Sequence, residues 1–180
     1  MTNNKQFDCQ QMFRHACAFS EVADMADEKF CHDTADIEWY TTPATVNSAF
    51  ACEVFLKAIL KWFDIQHNNK HEIKELFVLL PADIQEFVRM TVLNNYGRWI
   101  DKWGFELLDN ISNAFIEWRY SYEHDWSKSA VMQIEYSYLT AMRDALREAC
   151  CELFFNMAWE KYKELYILRF MRTKDETTNI

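Results

Sequence analysis

The sequence predicts an all-α fold, an up-and-down helical bundle of five or six helices that ends in a long C-terminal helix. Three observations predict it. Glycine and proline are scarce, with two of each in 180 residues. Tight hairpins, phosphate-cradling loops and sandwich turns draw on positive-φ positions that glycine fills at least cost, whereas helices joined by short polar turns need few of them. Apolar residues recur at spacings of three and four over long stretches, the repeat of one helix face. Half of the residues are hydrophobic (50%) and 16% are aromatic, enough for one packed interior. A single domain over 1–180 is expected at this length, with about 174–180 a frayed tail.

The first helix is predicted from near Lys5 to Glu28, with Met12, Ala16, Phe19, Ala23, Ala26 and Phe30 as its apolar stripe. The stretch CHDTADIEWYTT reads as a loop, and Thr42-Pro43 as a helix start, threonine capping and proline first in the helix. From Pro43 to about Ile65 the chain is apolar nearly all round, which marks the central helix. Asn68-Asn69 ends it. A short helix, IKELFVLL, stops before Pro81, and another runs from Pro81 to about Asn94. The next is predicted from Trp103 through Glu123. Val131 to about Arg172 contains no glycine or proline and reads as the long final helix, with at most one interruption. Short connections imply antiparallel neighbours.

The formal net charge is −9 and the pI about 5.0, so contact with nucleic acid requires a local basic patch or a basic partner. Cys9, Cys17, Cys31, Cys52, Cys150 and Cys151 form no C-x-x-C pair, and most fall inside apolar helical patterns. With a polar N-terminus, MTNNKQFDCQ, they read as buried reduced thiols of a cytoplasmic protein. No apolar run is expected to span a membrane. Gly97 and Gly104 are too isolated for a nucleotide-binding loop. His67 and His71 stand at i,i+4 but span the Asn68-Asn69 turn, and no thiol or carboxylate completes a metal set; His71 is expected to help start its helix.

Three stretches, taken in order, resemble the HEPN family: AFACEVFLKAIL at Ala49–Leu60, HEIKELFVLLP at His71–Pro81 and NAFIEWRYSYEH at Asn113–His124. With the final helix, the similarity covers most of the chain. The resemblance implies a bundle of four or more helices, usually a homodimer. In many members an arginine and a histidine with four to six residues between them cleave RNA without metal or cofactor. Arg119 and His124 have that spacing, and a toxin or defence effector held by a cognate antitoxin is the implied setting. Tyr120 stands where active members commonly carry a small polar residue. The second implied role is therefore a non-catalytic dimeric module that binds a protein partner such as a nucleotidyltransferase. Trp126 occupies the place of the tyrosine that some toxins of the family offer for nucleotidylation, so that control is not expected.

The chemistry suits the pair. Histidine serves either proton-transfer role in RNA transesterification, and arginine offers a permanent planar fork of donors to phosphate oxygens. Five helical positions turn through about 500°, so the two side chains meet only if the helix ends before His124 or a second subunit completes the site. Tyr120, Tyr122, Glu123 and Glu53 are the supporting positions. Glu53 interrupts an apolar segment and needs a partner, and Arg119 could be that partner instead of a catalytic group. In the last helix Lys161, Lys163, Arg169 and Arg172 interleave with Tyr162, Tyr166 and Phe170. That stripe is either an RNA contact with stacking aromatics or a solvated face beside an interface.

Overall fold

The computed structural model describes residues 3–32, 37–96, 105–120 and 134–166. Its helices are α1 (Asn3–His32), α2 (Ile37–Trp62), α3 (Ile73–Phe77), α4 (Ala82–Tyr96), α5 (Phe105–Ser112), α6 (Ala114–Arg119) and α7 (Tyr136–Phe155). A further helical stretch, α8, covers residues 159–166. No strand occurs among the described residues, and the fold is an all-α bundle.

α2 is the helix around which the others are placed. It packs against α1 along most of its length, and against α7, α6 and α3 on other sides. Its sequence dictates this, because Ala49, Ala51, Cys52, Phe55, Leu56, Ala58, Ile59 and Leu60 bury side chains in every direction. Each large one contributes roughly 1.5–3 kcal/mol of apolar burial. Contrary to the sequence expectation, Tyr40–Trp62 is long and apolar enough to cross a membrane by length and composition. Within the fold, 67% of its most apolar window is buried, the position of a core helix.

Two boundaries differ from the sequence reading. α1 continues to His32 and α2 begins at Ile37, so most of the expected loop over residues 31–42 is helical. Pro43 lies inside α2 rather than at its first position. Proline there deletes one hydrogen bond, to the carbonyl four residues earlier, within the first two turns. The buried Ala44, Thr45 and Ser48 that follow hold the segment helical by packing, and Asn47 Nδ2 donates to the Pro43 carbonyl at 2.7 Å. The apolar line of α1 is also rotated from the one expected. Cys9, Phe13, Ala16, Cys17, Ser20, Ala23 and Ala26 are buried, while Met12 and Phe19 are only partly covered. Small residues along this line let α1 lie close to α2.

The ends of the helices follow local chemistry. Asp64, Asn68 and Asn69 take positive φ between α2 and α3, and Asn tolerates that region better than most residues. Pro81 precedes α4, whose first bond runs from the Gln85 amide to the Pro81 carbonyl at 2.9 Å. The Gln85 side chain turns back to the Leu80 carbonyl at 2.8 Å and ties α4 to the end of α3. The expected helix from Trp103 to Glu123 is divided at Asn113 into α5 and α6, and α6 ends at Arg119. Asn156, at φ 53° and ψ 47°, caps α7 and supplies the one interruption allowed for in the final run.

One buried charge ties three helices together. Arg143 of α7 is 2% exposed, between α1 and α2. It donates to Asp24 Oδ1 at 2.6 Å, Ser48 Oγ at 3.2 Å, the Ser20 carbonyl at 3.5 Å and Asp144 Oδ1 at 3.2 Å. Burial works against the guanidinium's charge, but Asp144 and Asp24 outweigh it and the group is held charged, above its ordinary range. Nearby, burial pushes the Asp27 carboxyl above the usual range, Asp24 adds to the effect, and Arg143 partly opposes it.

Two stability predictions follow from this network. Arg143→Ala leaves a cavity and strips donors from Ser48 and the Ser20 carbonyl, so denaturant unfolding should show a loss of about 2–4 kcal/mol. Asp24 is half exposed and keeps its hydration, which holds the cost below that of an orphaned buried charge. Asp27 binds its proton more tightly folded than unfolded. Its carboxyl therefore favours folding at acid pH, and that advantage is lost as pH rises from the ordinary carboxylate range through its raised value. Asp27→Asn should raise Tm at pH 7 and change it little at pH 3.

Candidate functional site

Arg119 is the last residue of α6 and its side chain is exposed. What positions it is a column of rings that begins in the bundle. Phe19 of α1 meets Phe50 of α2 edge-on at 4.6 Å, and Phe50 stacks on Phe115 of α6 at 4.8 Å and 24°. The Arg119 guanidinium lies 4.7 Å from the centroid of Phe115, one turn earlier, and 4.5 Å from that of Tyr120. Its Nη2 donates to the Tyr120 hydroxyl at 2.8 Å. Cation–π contact of this kind contributes about 0.5–1 kcal/mol at an exposed site and fixes the plane of the fork. Among the described residues no carboxylate pairs with Arg119. Most of its five N–H donors therefore remain open to an anion.

Tyr122, Glu123 and His124 lie outside the described residues. Tyr120, with φ −105° and ψ 21°, closes α6 directly after Arg119.

Glu53 has a different partner from the one considered in the sequence. It is 3% exposed, and its Oε1 accepts from Lys57 Nζ at 2.7 Å and from His71 Nδ1 at 2.8 Å. Arg119 does not reach it, and the register explains why. Phe50 faces Phe115, and from there Glu53 lies one turn toward the C-terminus of α2. The Lys74 amide, just after His71, bonds Ser112 Oγ at 3.2 Å, which places that end of α2 beside the start of α6. Arg119 lies at the other end of α6. His71, expected to begin α3, instead turns its ring onto Glu53, and the residue at the cap is Glu72, without a side-chain bond. Glu53 Oε2 is buried and meets no donor among the described residues.

The basic stripe is less basic than its sequence. Lys161 and Lys163 are exposed on α8, but Lys163 pairs with Glu160 at 2.9 Å; Arg169 and Arg172 lie outside the described residues. Tyr162 and Tyr166 do stack, at 6.3 Å and 17°. The described thiols are ill suited to nucleophilic work. Burial pushes Cys17 and Cys52 up to about 12, and raises Cys9, Cys150 and Cys151 as well. No group of three or more metal-ligating side chains occurs among the described residues.

Sequence reasoning found Arg119 on the helix face of Phe115 but not Phe50, on which the Phe115 ring is stacked. The i,i+4 spacing of Phe115 and Arg119 was a usable signal. It also missed Lys57 as a partner for Glu53, although the two stand at i,i+4 on α2. No protein-family model, curated protein or solved structure matches this chain.

Proposed function

We propose that this chain is a HEPN-like, metal-independent endoribonuclease that acts as a homodimer, with Arg119 and His124 as its catalytic residues. The observation that carries the reading is the exposed Arg119 guanidinium, oriented by two rings and paired with no carboxylate among the described residues. A structural arginine in an acidic protein is ordinarily neutralised by a carboxylate. One held by aromatic faces keeps its N–H edge for phosphate oxygens.

In this reading His124 takes the proton of a ribose 2′-hydroxyl, and the 2′-oxygen attacks the adjacent phosphorus. Arg119 stabilises the charge that builds on the non-bridging oxygens. The bond to the 5′-oxygen breaks, and that oxygen receives a proton from the His124 of the second subunit, brought into the same groove by the two-fold axis. The products are a 2′,3′-cyclic phosphate and a 5′-hydroxyl, with no water or metal consumed.

A second reading is favoured by the apolar surface beside Arg119. Ile116 and Tyr120 are 43% and 41% exposed, and aromatic and arginine side chains together are common at the centre of protein interfaces. A non-catalytic dimeric module that binds a protein partner would use the same patch with Arg119 as an anchor.

Cleavage of tRNA and single-stranded RNA in EDTA separates the two. The unmodified protein should yield cyclic-phosphate ends, and Arg119→Ala and His124→Ala should each slow cleavage by about 10²- to 10³-fold. Arg119→Ala should leave Tm within a degree or two, because the side chain is exposed. Equal activity in all three proteins removes the catalytic assignment. Inactivity in all three, with a stable complex that Arg119→Ala disrupts, establishes the binding module instead.

A further inference from the structure

A second site stands apart from Arg119, in the groove between α1 and α8. The groove has a volume of about 340 Å³, within the range of small-molecule sites. One wall is a single face of α1, on which Arg14, Cys17, Ala18 and Glu21 recur at i, i+3, i+4 and i+7. The two middle residues are small. The helix therefore presents a shallow slot with a guanidinium at one end and a carboxylate at the other, about 10 Å apart along the axis.

The opposite wall is a ladder of rings on α8. Trp159 and Tyr162 are 5.9 Å apart at 22°, and Tyr162 and Tyr166 are 6.3 Å apart at 17°. The inner end of the ladder is anchored. Tyr162 packs edge-on against Phe13 at 5.2 Å, and Trp159 carries the Arg147 guanidinium 4.5 Å above its ring. The outer end is open, with Tyr166 55% exposed. The charges at the two ends of the slot are not consumed by the fold. Arg14 and Glu21 both line the groove, and among the described residues neither forms an ion pair. Lys163, on the rim, is tied to Glu160.

A planar ligand with hydrogen-bond donors on one edge and acceptors on another matches this arrangement. Guanine has both. Its N1–H and N2–H groups suit a carboxylate, and its O6 and N7 suit an arginine fork. Adenine lacks the paired donor edge, and a pyrimidine is too short to reach both ends. We propose that the groove binds a guanine base, stacked on the open ring of Tyr166 between Glu21 and Arg14, as a free nucleotide or as a residue of single-stranded RNA. A base is neutral, so its capture does not require the acidic chain to attract a polyanion over a distance. The proposal does not rest on the ribonuclease reading, because the groove uses none of that site's residues.

The test is calorimetric titration of the full chain carrying Arg119→Ala, so that RNA stays intact. GMP, AMP and UMP are compared with short single-stranded RNAs containing one guanine or none. GMP should bind at least tenfold tighter than AMP, and UMP more weakly still. Glu21→Gln should reduce the preference for GMP over AMP to less than threefold, with Tm unchanged because Glu21 is exposed. Tyr166→Ala should weaken GMP and AMP alike, by roughly tenfold. Tighter binding of the guanine-containing RNA than of GMP identifies RNA as the source; equal binding identifies the free nucleotide. Equal affinity for GMP and AMP, a preference that survives Glu21→Gln, or no binding of GMP at millimolar concentration overturns the proposal.

Discussion

The burial of α2 on several sides is the constraint from which the rest of the structure follows. A helix this apolar cannot present a face to water, so α1, α3, α6 and α7 are each drawn onto it. Three polar side chains are carried inward with it, Thr45, Ser48 and Glu53, and two of them draw partners onto the helix. Ser48 meets Arg143 from α7, and Glu53 meets Lys57 and His71. Buried polar groups of this kind add little net stability but select one arrangement of helices over its neighbours, since a shift of a turn would leave them without partners. Arg143 reaches α1 and α2 together and so fixes where α7 lies against that pair.

The same central helix delivers Arg119 to the surface. Phe50 sits partly covered on α2, between Phe19 and Phe115, and the guanidinium is laid on the outer face of that column. The path from core packing to candidate chemistry is thus short. Bundle contacts orient Phe115, Phe115 orients Arg119, and α6 ends directly after it. The groove between α1 and α8 is built on a different principle, rings on one side and small residues on the other. It exists because Asn156 ends α7 and lets the chain start a new helix against α1.

Much of the fold was legible because it rests on local signals. The scarcity of glycine and the all-round apolarity from Pro43 to about Ile65 point to a helical bundle and to its central member. Pro43 misled because proline at a helix start is the commoner case, and only tertiary packing tells a start from a tolerated interior position. The stripe of α1 was misplaced by a fraction of a turn because the adjacent Met12 and Phe13 are both large and apolar, and because hydrophobicity favours Phe19 over its buried neighbour Ser20. Glu53 was recognisable as an acid needing a partner. Its histidine partner lies 18 residues away, across a turn whose geometry no local pattern reveals. Arg143 gave no signal at all, set among Asp144 and Arg147 on what reads as an ordinary polar face.

The central claim is that the Arg119 guanidinium is an oriented, unneutralised receptor for phosphate. The most direct measurement is the Nε–H resonance of Arg119, assigned by its loss in Arg119→Lys, during titration with a non-cleavable 2′-deoxy analogue of an RNA dinucleotide. A saturable shift of that resonance, weakened by added salt, is the predicted result. A resonance that stays in place while the analogue binds elsewhere, or while RNA is still cleaved, would contradict the account.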